Sequence, residues 1–279
     1  MQSIKDAARN TAETLHAAFP QWKSPAALVQ LDYGFTPQGF FDEQLGICEV
    51  DSLPDTGCPA SPEPLTFSLG RCEDRQVLVL QNTGPRYRGF GAQTRVLPVC
   101  AAKLCGVRNV VNLTAAASLR QDFRPGTWVA VTDYINNTGL PPLAIRDFEL
   151  FDKAEFTMTH AFSQELIADI INAAAAEGIT VRMGIYQANP GPQLATPAEG
   201  AAARKNGAEL LGTGIIPETV AAHTLGCRTA SIALVTHYSD SYHRKPAGMS
   251  EILEEIRHWS PSIMRTMRRF IVESTSAVV

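Results

Sequence analysis

No two cysteines of the chain are spaced as Cys-x-x-Cys. The six present, Cys48, Cys58, Cys72, Cys100, Cys105 and Cys227, are scattered, which argues against a zinc knuckle or a dithiol redox motif and leaves free thiols in a reducing compartment as the expectation. No apolar run approaches the ~18 residues of a membrane span. The opening Met-Gln-Ser-Ile-Lys-Asp-Ala-Ala-Arg-Asn has neither the basic start nor the apolar middle of a secretory signal, so the chain is read as cytoplasmic. Positive charge is not in excess: 24 Lys and Arg stand against 28 Asp and Glu, a net charge of −4. That balance argues against a nucleic-acid or anionic-membrane surface and points to small molecules or other proteins as partners. Internal repeats and composition breaks are missing as well. What is there is a chain of 279 residues, 45% hydrophobic and 19% charged, able to bury a large core and expected to form a single domain over residues 1–279.

Short apolar runs alternate with amphipathic stretches. Strands are predicted at Ala26–Leu31, Val77–Gln81, Val107–Leu113, Trp128–Val131, Thr180–Gln187 and Arg228–Val235. Between them helices are predicted at Arg95–Cys105, His160–Glu177, Pro197–Asn206 and Pro217–Leu225. A first helix carries Ile4, Ala8, Leu15 and Phe19 mostly on one face and is stopped by Pro20. A last helix, Ser250–Ile271, is expected to kink or break at Ser260-Pro261, and its Arg265, Arg268 and Arg269 complement the helix dipole. Asp51–Pro64 reads as an irregular surface loop and a candidate cover for a cleft. The alternation implies crossover units, hence an α/β fold with a largely parallel twisted sheet flanked by helices.

Such sheets bind ligands beyond the carboxyl ends of their strands. The loops there carry Asp32 and Tyr33, then Thr83, Arg86, Tyr87 and Arg88, then Thr114 and Ser118. Further on they carry Tyr186, Gln187 and Asn189, then Thr213, then Thr236, His237, Tyr238 and Asp240.

Several segments resemble one family in order and at similar spacing. Asn10-Thr11-Ala12-Glu13, Tyr87-Arg88-Gly89, Leu104-Cys105-Gly106-Val107 and Thr114-Ala115-Ala116-Ala117-Ser118 are followed by Asp133-Tyr134-Ile135-Asn136 and Gly184-Ile185-Tyr186. Gly191-Pro192-Gln193-Leu194-Ala195-Thr196 and Pro217-Glu218-Thr219-Val220-Ala221-Ala222-His223 complete the set. Together they resemble the trimeric purine nucleoside phosphorylases and the related methylthioadenosine phosphorylases, nearly end to end. The resemblance implies a three-layer α/β sandwich of the nucleoside phosphorylase type, a homotrimer, a small nucleoside-like ligand and no cofactor.

Phosphorolysis of a nucleoside needs a donor-rich cradle for phosphate, hydrogen bonds to the ribose and stabilisation of the departing purine. The resemblance places Asp32 where the family's phosphate loop has a serine, and a carboxylate there repels phosphate. Thr83 and Pro85 stand for the family arginine and histidine, and Gly214 stands for another serine. Arg86 and Arg88 are left as candidates to replace part of the charge. The base-gripping glutamate falls on Ala195, its aromatic neighbour on Leu194, an asparagine on His237 and a histidine on Met249. Phe151 is the nearest candidate for an aromatic residue lent to a neighbouring subunit.

Three readings follow: a phosphorylase with substitute ligands, a scaffold turned to another reaction such as cleavage of the glycosidic bond by water, and a binding module without turnover. The second assigns Asp32, His237 and Tyr87 to catalysis. It assigns Tyr33, Thr83, Arg86, Ala115, Ala116, Tyr186, Gln187, Thr213 and Thr236 to substrate binding. Against these, Asp32 could cap a turn or pair with Arg86, His237 could be a satisfied structural histidine, and Tyr87 and Tyr186 could be core aromatics. Pro217-Glu218 could preserve only a backbone turn. The spacing of His237, Asp240 and His243 suits neither a strand face nor the i, i+4 pair of zinc enzymes, so no metal is expected.

Overall fold

A computed structural model describes residues 4–50, 64–81, 92–139, 157–191, 193–239 and 247–274. In chain order they form α1 (Ile4–Ala18), β1 (Leu28–Leu31), β2 (Glu43–Val50), β3 (Leu65–Cys72), β4 (Arg75–Gln81), α2 (Ala92–Leu104), β5 (Asn109–Ser118) and β6 (Trp128–Asn136). There follow α3 (Gln164–Ala176), β7 (Val181–Ala188), α4 (Pro197–Lys205), β8 (Leu210–Gly212), α5 (Ile216–Thr224), β9 (Arg228–Tyr238) and α6 (Met249–Glu273).

Strands predicted from continuous apolar runs lie at the centre because they are buried on both faces. All four residues of β1 are buried, and β1 stands between β4 and β5, parallel to both. Val110, Val111 and Leu113 of β5 and Ile232, Ala233, Leu234 and Val235 of β9 are nearly inaccessible. The sheet has nine strands in the order β2-β3-β4-β1-β5-β8-β7-β6-β9, with β9 also pairing back to β5. Five strands therefore close into a ring, β5-β8-β7-β6-β9. Among the described residues five pairings are parallel and four antiparallel. The antiparallel ones are the β2-β3-β4 meander and the contacts of β8 with β5 and of β6 with β9. On one side α1 packs on α2 and α2 on α5, while α3 packs on α6. The arrangement is the three-layer α/β sandwich that the family resemblance implies, with a mixed sheet in place of the largely parallel one that the alternation of strand and helix suggests.

One expectation is corrected. Helix α6 runs unbroken from Met249 to Glu273 with Pro261 inside it. The Ser260 hydroxyl adds a bond to the Ile256 carbonyl at 2.8 Å, and Ile252, Ile256, Ile263, Met264 and Met267 bury one face along the whole length. The basic end of α6 makes ion pairs rather than acting on the dipole alone. Arg268 donates to Asp42 at 2.8 and 2.9 Å, and Arg269 reaches Glu177 at 2.8 Å and Glu273 at 2.6 Å. Most of the Asp51–Pro64 loop and all of 82–91 lie outside the described residues, as does Phe151.

Candidate functional site

Asp32 follows β1 and stays in register with β5, its N–H donating to the Leu113 carbonyl at 3.0 Å. One carboxylate oxygen, Oδ1, accepts the Tyr33 N–H at 2.9 Å. The other, Oδ2, accepts the Thr114 hydroxyl at 2.7 Å. Asp32 thus caps its turn and also faces a cavity of about 140 Å³ at the carboxyl ends of the strands. The turn-capping reading of this residue is seen directly, and its place on the cavity wall is what a catalytic role would require.

The same cavity is lined by His237, Thr236, Ala115, Ala116, Thr213 and Tyr33. Adjacent strand residues normally point to opposite faces. Thr236 and His237 share a wall because β9 shifts register there: Val235 pairs with Ala116 and His237 with Ala117, leaving Thr236 as an extra residue. Such a bulge re-aims side chains at the end of a ladder. Thr236 Oγ1 lies 2.9 Å from His237 Nδ1, which fixes one ring nitrogen within the protein.

Two sequence-derived candidates stand behind the cavity wall rather than on it. Tyr186 is fully buried and off the cavity wall. Its ring lies flush against Gly212, where a Cβ would overlap the phenol, and its hydroxyl accepts the Gly214 N–H at 3.1 Å. Burial pushes its pKa well above the ordinary tyrosine value. Gln187 is also buried off the wall and donates to Asn189 Oδ1 at 3.0 Å. Both fall just before the end of β7, so the strand ladder holds them behind the cleft while Asn189 reaches it. Tyr87, Thr83, Arg86 and Arg88 lie outside the described residues, as do Asp240 and His243. Among the described residues no cluster of His, Cys, Asp and Glu could hold a metal ion.

The residue that the sequence reading missed is Arg95, in the second turn of α2. Its side chain is 5% exposed and pairs with Glu218, 3% exposed, through Nε to Oε1 at 2.5 Å. Nη1 lies 3.4 Å from the Thr213 carbonyl. Burial pulls the guanidinium pKa down, but the Glu218 and Asp32 carboxylates outweigh it and the net shift is upward. Glu218 therefore does more than shape a turn: it anchors a cation on the cavity wall. Between them Ile215 takes the left-handed conformation, φ 61°, a costly one for a β-branched side chain. An apolar part of the wall comes from α6, through Met249, Ile252, Leu253 and Ile256, and from Leu194 and Ala195, while Asn189, Gln193 and Ser239 add polar groups.

A sheet with five strands closed into a ring, and a cavity at one end of it with a carboxylate, a guanidinium and an imidazole on its wall, is an α/β architecture with a candidate small-molecule site. The Phosphorylase superfamily profile matches residues 47–272, and the chain belongs to that family. It is 33% identical over 232 residues to purine nucleoside phosphorylase of Mycobacterium leprae, covering 83% of this chain and 78% of the relative. It is 27% identical over 202 residues to purine nucleoside phosphorylase 1 of Geobacillus stearothermophilus, 72% of this chain and 74% of the relative. Its fold matches that of Schistosoma mansoni purine nucleoside phosphorylase solved in complex with inosine, with a TM-score of 0.84 at 22% identity over 98% of each chain.

Proposed function

We propose that the protein binds a purine-nucleoside-like molecule in this cavity and cleaves its N-glycosidic bond with water in place of phosphate. The observation that carries the reading is the charge around Asp32. Arg95 is the only arginine or lysine on the described wall, and its Nε is committed to Glu218. Two carboxylates thus stand against one guanidinium, surroundings that oppose a phosphate dianion and suit a neutral nucleophile. The names of the relatives support nucleoside chemistry.

In the proposed step the water oxygen bonds to C1′ as the C1′–N bond breaks. Asp32 accepts the water proton, and the electron pair leaves with the base, which takes a proton from His237; solvent then resets both groups. The products are the free base and the sugar. Asp32 and His237 lining one cavity supports this division of roles.

Chromatography of inosine, adenosine and methylthioadenosine incubated with the protein, with and without phosphate, tests it. Equal base release in both buffers is the expected result. Strict phosphate dependence would instead make the chain a phosphorylase that uses Arg86 or Arg88. Thermal stabilisation by a nucleoside without turnover would make it a binding module. We also propose a homotrimer of single-domain subunits, supported by the family resemblance; light scattering giving the 30.2 kDa of one chain would overturn it.

A further inference from the structure

Tyr186 stands behind the cavity, yet its hydroxyl is one link in a chain that ends on the cavity wall. The phenol is buried, and its oxygen accepts the Gly214 N–H at 3.1 Å. It also hydrogen-bonds the Thr114 side chain, a contact that works against the rise that burial gives its pKa. The Thr114 hydroxyl in turn donates to Asp32 Oδ2 at 2.7 Å. An amide N–H only donates and a carboxylate oxygen accepts, so the two ends of this chain set its direction. Gly214 N–H fills one lone pair of the phenol, the phenol proton goes to Thr114 Oγ1, and the Thr114 proton goes to Asp32. The reverse arrangement would aim two donors at the phenol oxygen and bury the phenol proton without an acceptor, at a cost comparable to a lost hydrogen bond. Thr114 has a second acceptor within reach, the Ala115 carbonyl at 3.3 Å. A proton arriving from Tyr186 restricts how the Thr114 hydroxyl turns and favours its shorter bond, the one to Asp32.

We infer that Tyr186 is a positioning residue for Asp32 and acts through Thr114. Its hydroxyl keeps the Thr114 proton on Oδ2, and that bond, with the Tyr33 N–H on Oδ1 at 2.9 Å, fixes the plane in which the carboxylate faces the cavity. Of these two donors the backbone N–H is held by the chain itself, whereas the Thr114 hydroxyl can rotate and needs support. Asp32 follows β1, Thr114 lies in β5, Tyr186 in β7 and Gly214 after β8, so four strands of the sheet converge on one carboxylate. The effect on turnover rests on the hydrolytic reading, in which Asp32 takes the proton of water; the geometry of the chain does not.

Tyr186→Phe is the direct test, because it removes one oxygen and keeps the ring. Release of base from inosine in phosphate-free buffer is expected to fall in kcat by about 10- to 100-fold, the size of effect that slight misplacement of a reacting group produces, with KM close to wild type. Thr114→Val should do the same, and Thr114→Ser, which keeps the hydroxyl, should retain most of the activity. The Tyr186→Phe/Thr114→Val double variant should be no slower than the slower single one, since both cut the same chain. A merely structural Tyr186 would instead lower the melting temperature, leave kcat per folded molecule unchanged and add independently to Thr114→Val. Crystals supply a readout that does not need turnover. Asp32 should hold one conformer bonded to Thr114 in the wild type, and should shift or split into two conformers in Tyr186→Phe. Should that variant fail to fold, Thr114→Val decides in its place, because it cuts the chain between Tyr186 and Asp32. A wild type inactive without phosphate would sink the hydrolytic reading while the crystals still decide the positioning. An Asp32 carboxylate unmoved in the variants, or a Tyr186→Phe protein as fast as an active wild type, would overturn the inference.

Discussion

Arg95 and Glu218 are each followed by mostly apolar residues in their helices, and they are buried against one another. Removing one partner leaves the other charged and dry, so Arg95→Met should cost about 3–5 kcal/mol, and adding Glu218→Gln should return much of it. Urea unfolding measures both, and a double variant as unstable as the sum of the singles would show that the two are not coupled. Asp32→Asn keeps an acceptor for Thr114 or Tyr33. It should therefore leave the melting temperature almost unmoved while lowering turnover by about 10²–10⁴-fold, the usual contribution of a general base. The opposite pattern, lost stability with unchanged activity per folded molecule, would make Asp32 a turn cap only. Asp32 was legible in the sequence because it ends an apolar strand. Arg95 was not: periodicity identifies a helix but not which of its residues faces a cleft built by strands from both halves of the chain. A lone arginine before Val96-Leu97 and a lone glutamate before Thr219-Val220 were the available signal, since an unpaired charge in a buried helix demands a partner.

At the scale of elements, the strands that were legible carry continuous apolar runs, as β1, β4, β5 and β9 do, whereas β3 was not legible although Phe67–Gly70 are buried, because Ser68, Gly70 and Arg71 interrupt its apolar pattern. Strand β2 was missed because it is an edge strand with mostly exposed or half-buried residues, and β8 because three residues cannot establish a period. Tyr186, which matches the family's Gly-x-Tyr, and Gln187 read in the sequence as residues of a strand end, whereas the ladder of β7 runs on to Ala188 and holds both. Bulges are equally silent in sequence, so the turn of Thr236 and His237 toward one wall became visible only in the register of β9 against β5. Helix α6 shows the limit of proline as a breaker. Its apolar face packs along its length and outweighs the missing N–H at Pro261. Pro261→Ala restores that donor and should stabilise the fold by about 1–3 kcal/mol, less than the full helix penalty of proline because the unfolded chain also gains freedom. A denaturation midpoint unchanged or lowered would mean that the proline is already accommodated without cost.

The whole molecule should weaken in alkali. Burial pushes the Cys72 thiol up to about 12 and the Cys105 thiol up to about 11; it also raises Cys48, Cys227 and Tyr134. The folded state then holds protons that the unfolded chain releases from about pH 8.5 upward. Stability is fully present below that point and falls as pH rises through the folded values, because the unfolded state binds fewer protons there. Melting temperatures recorded from neutral pH to about pH 11 should decline beyond the ordinary thiol pKa, and a flat profile would contradict the burial of these groups. Alternation of strand and helix made the α/β architecture legible, and the ordered motifs made the family legible. The closed ring was not, because its closing pair joins Asn109 to Arg228, a separation that no local pattern reports. That pairing also sets a schedule for synthesis. Asp32, Arg95 and Thr114 leave the ribosome early, but the wall that carries Thr236 and His237 docks on β5 only after Tyr238 has been made. Until then the nascent chain exposes one apolar edge of β5, so the interval between translating β5 and β9 is when a chaperone has most to shield.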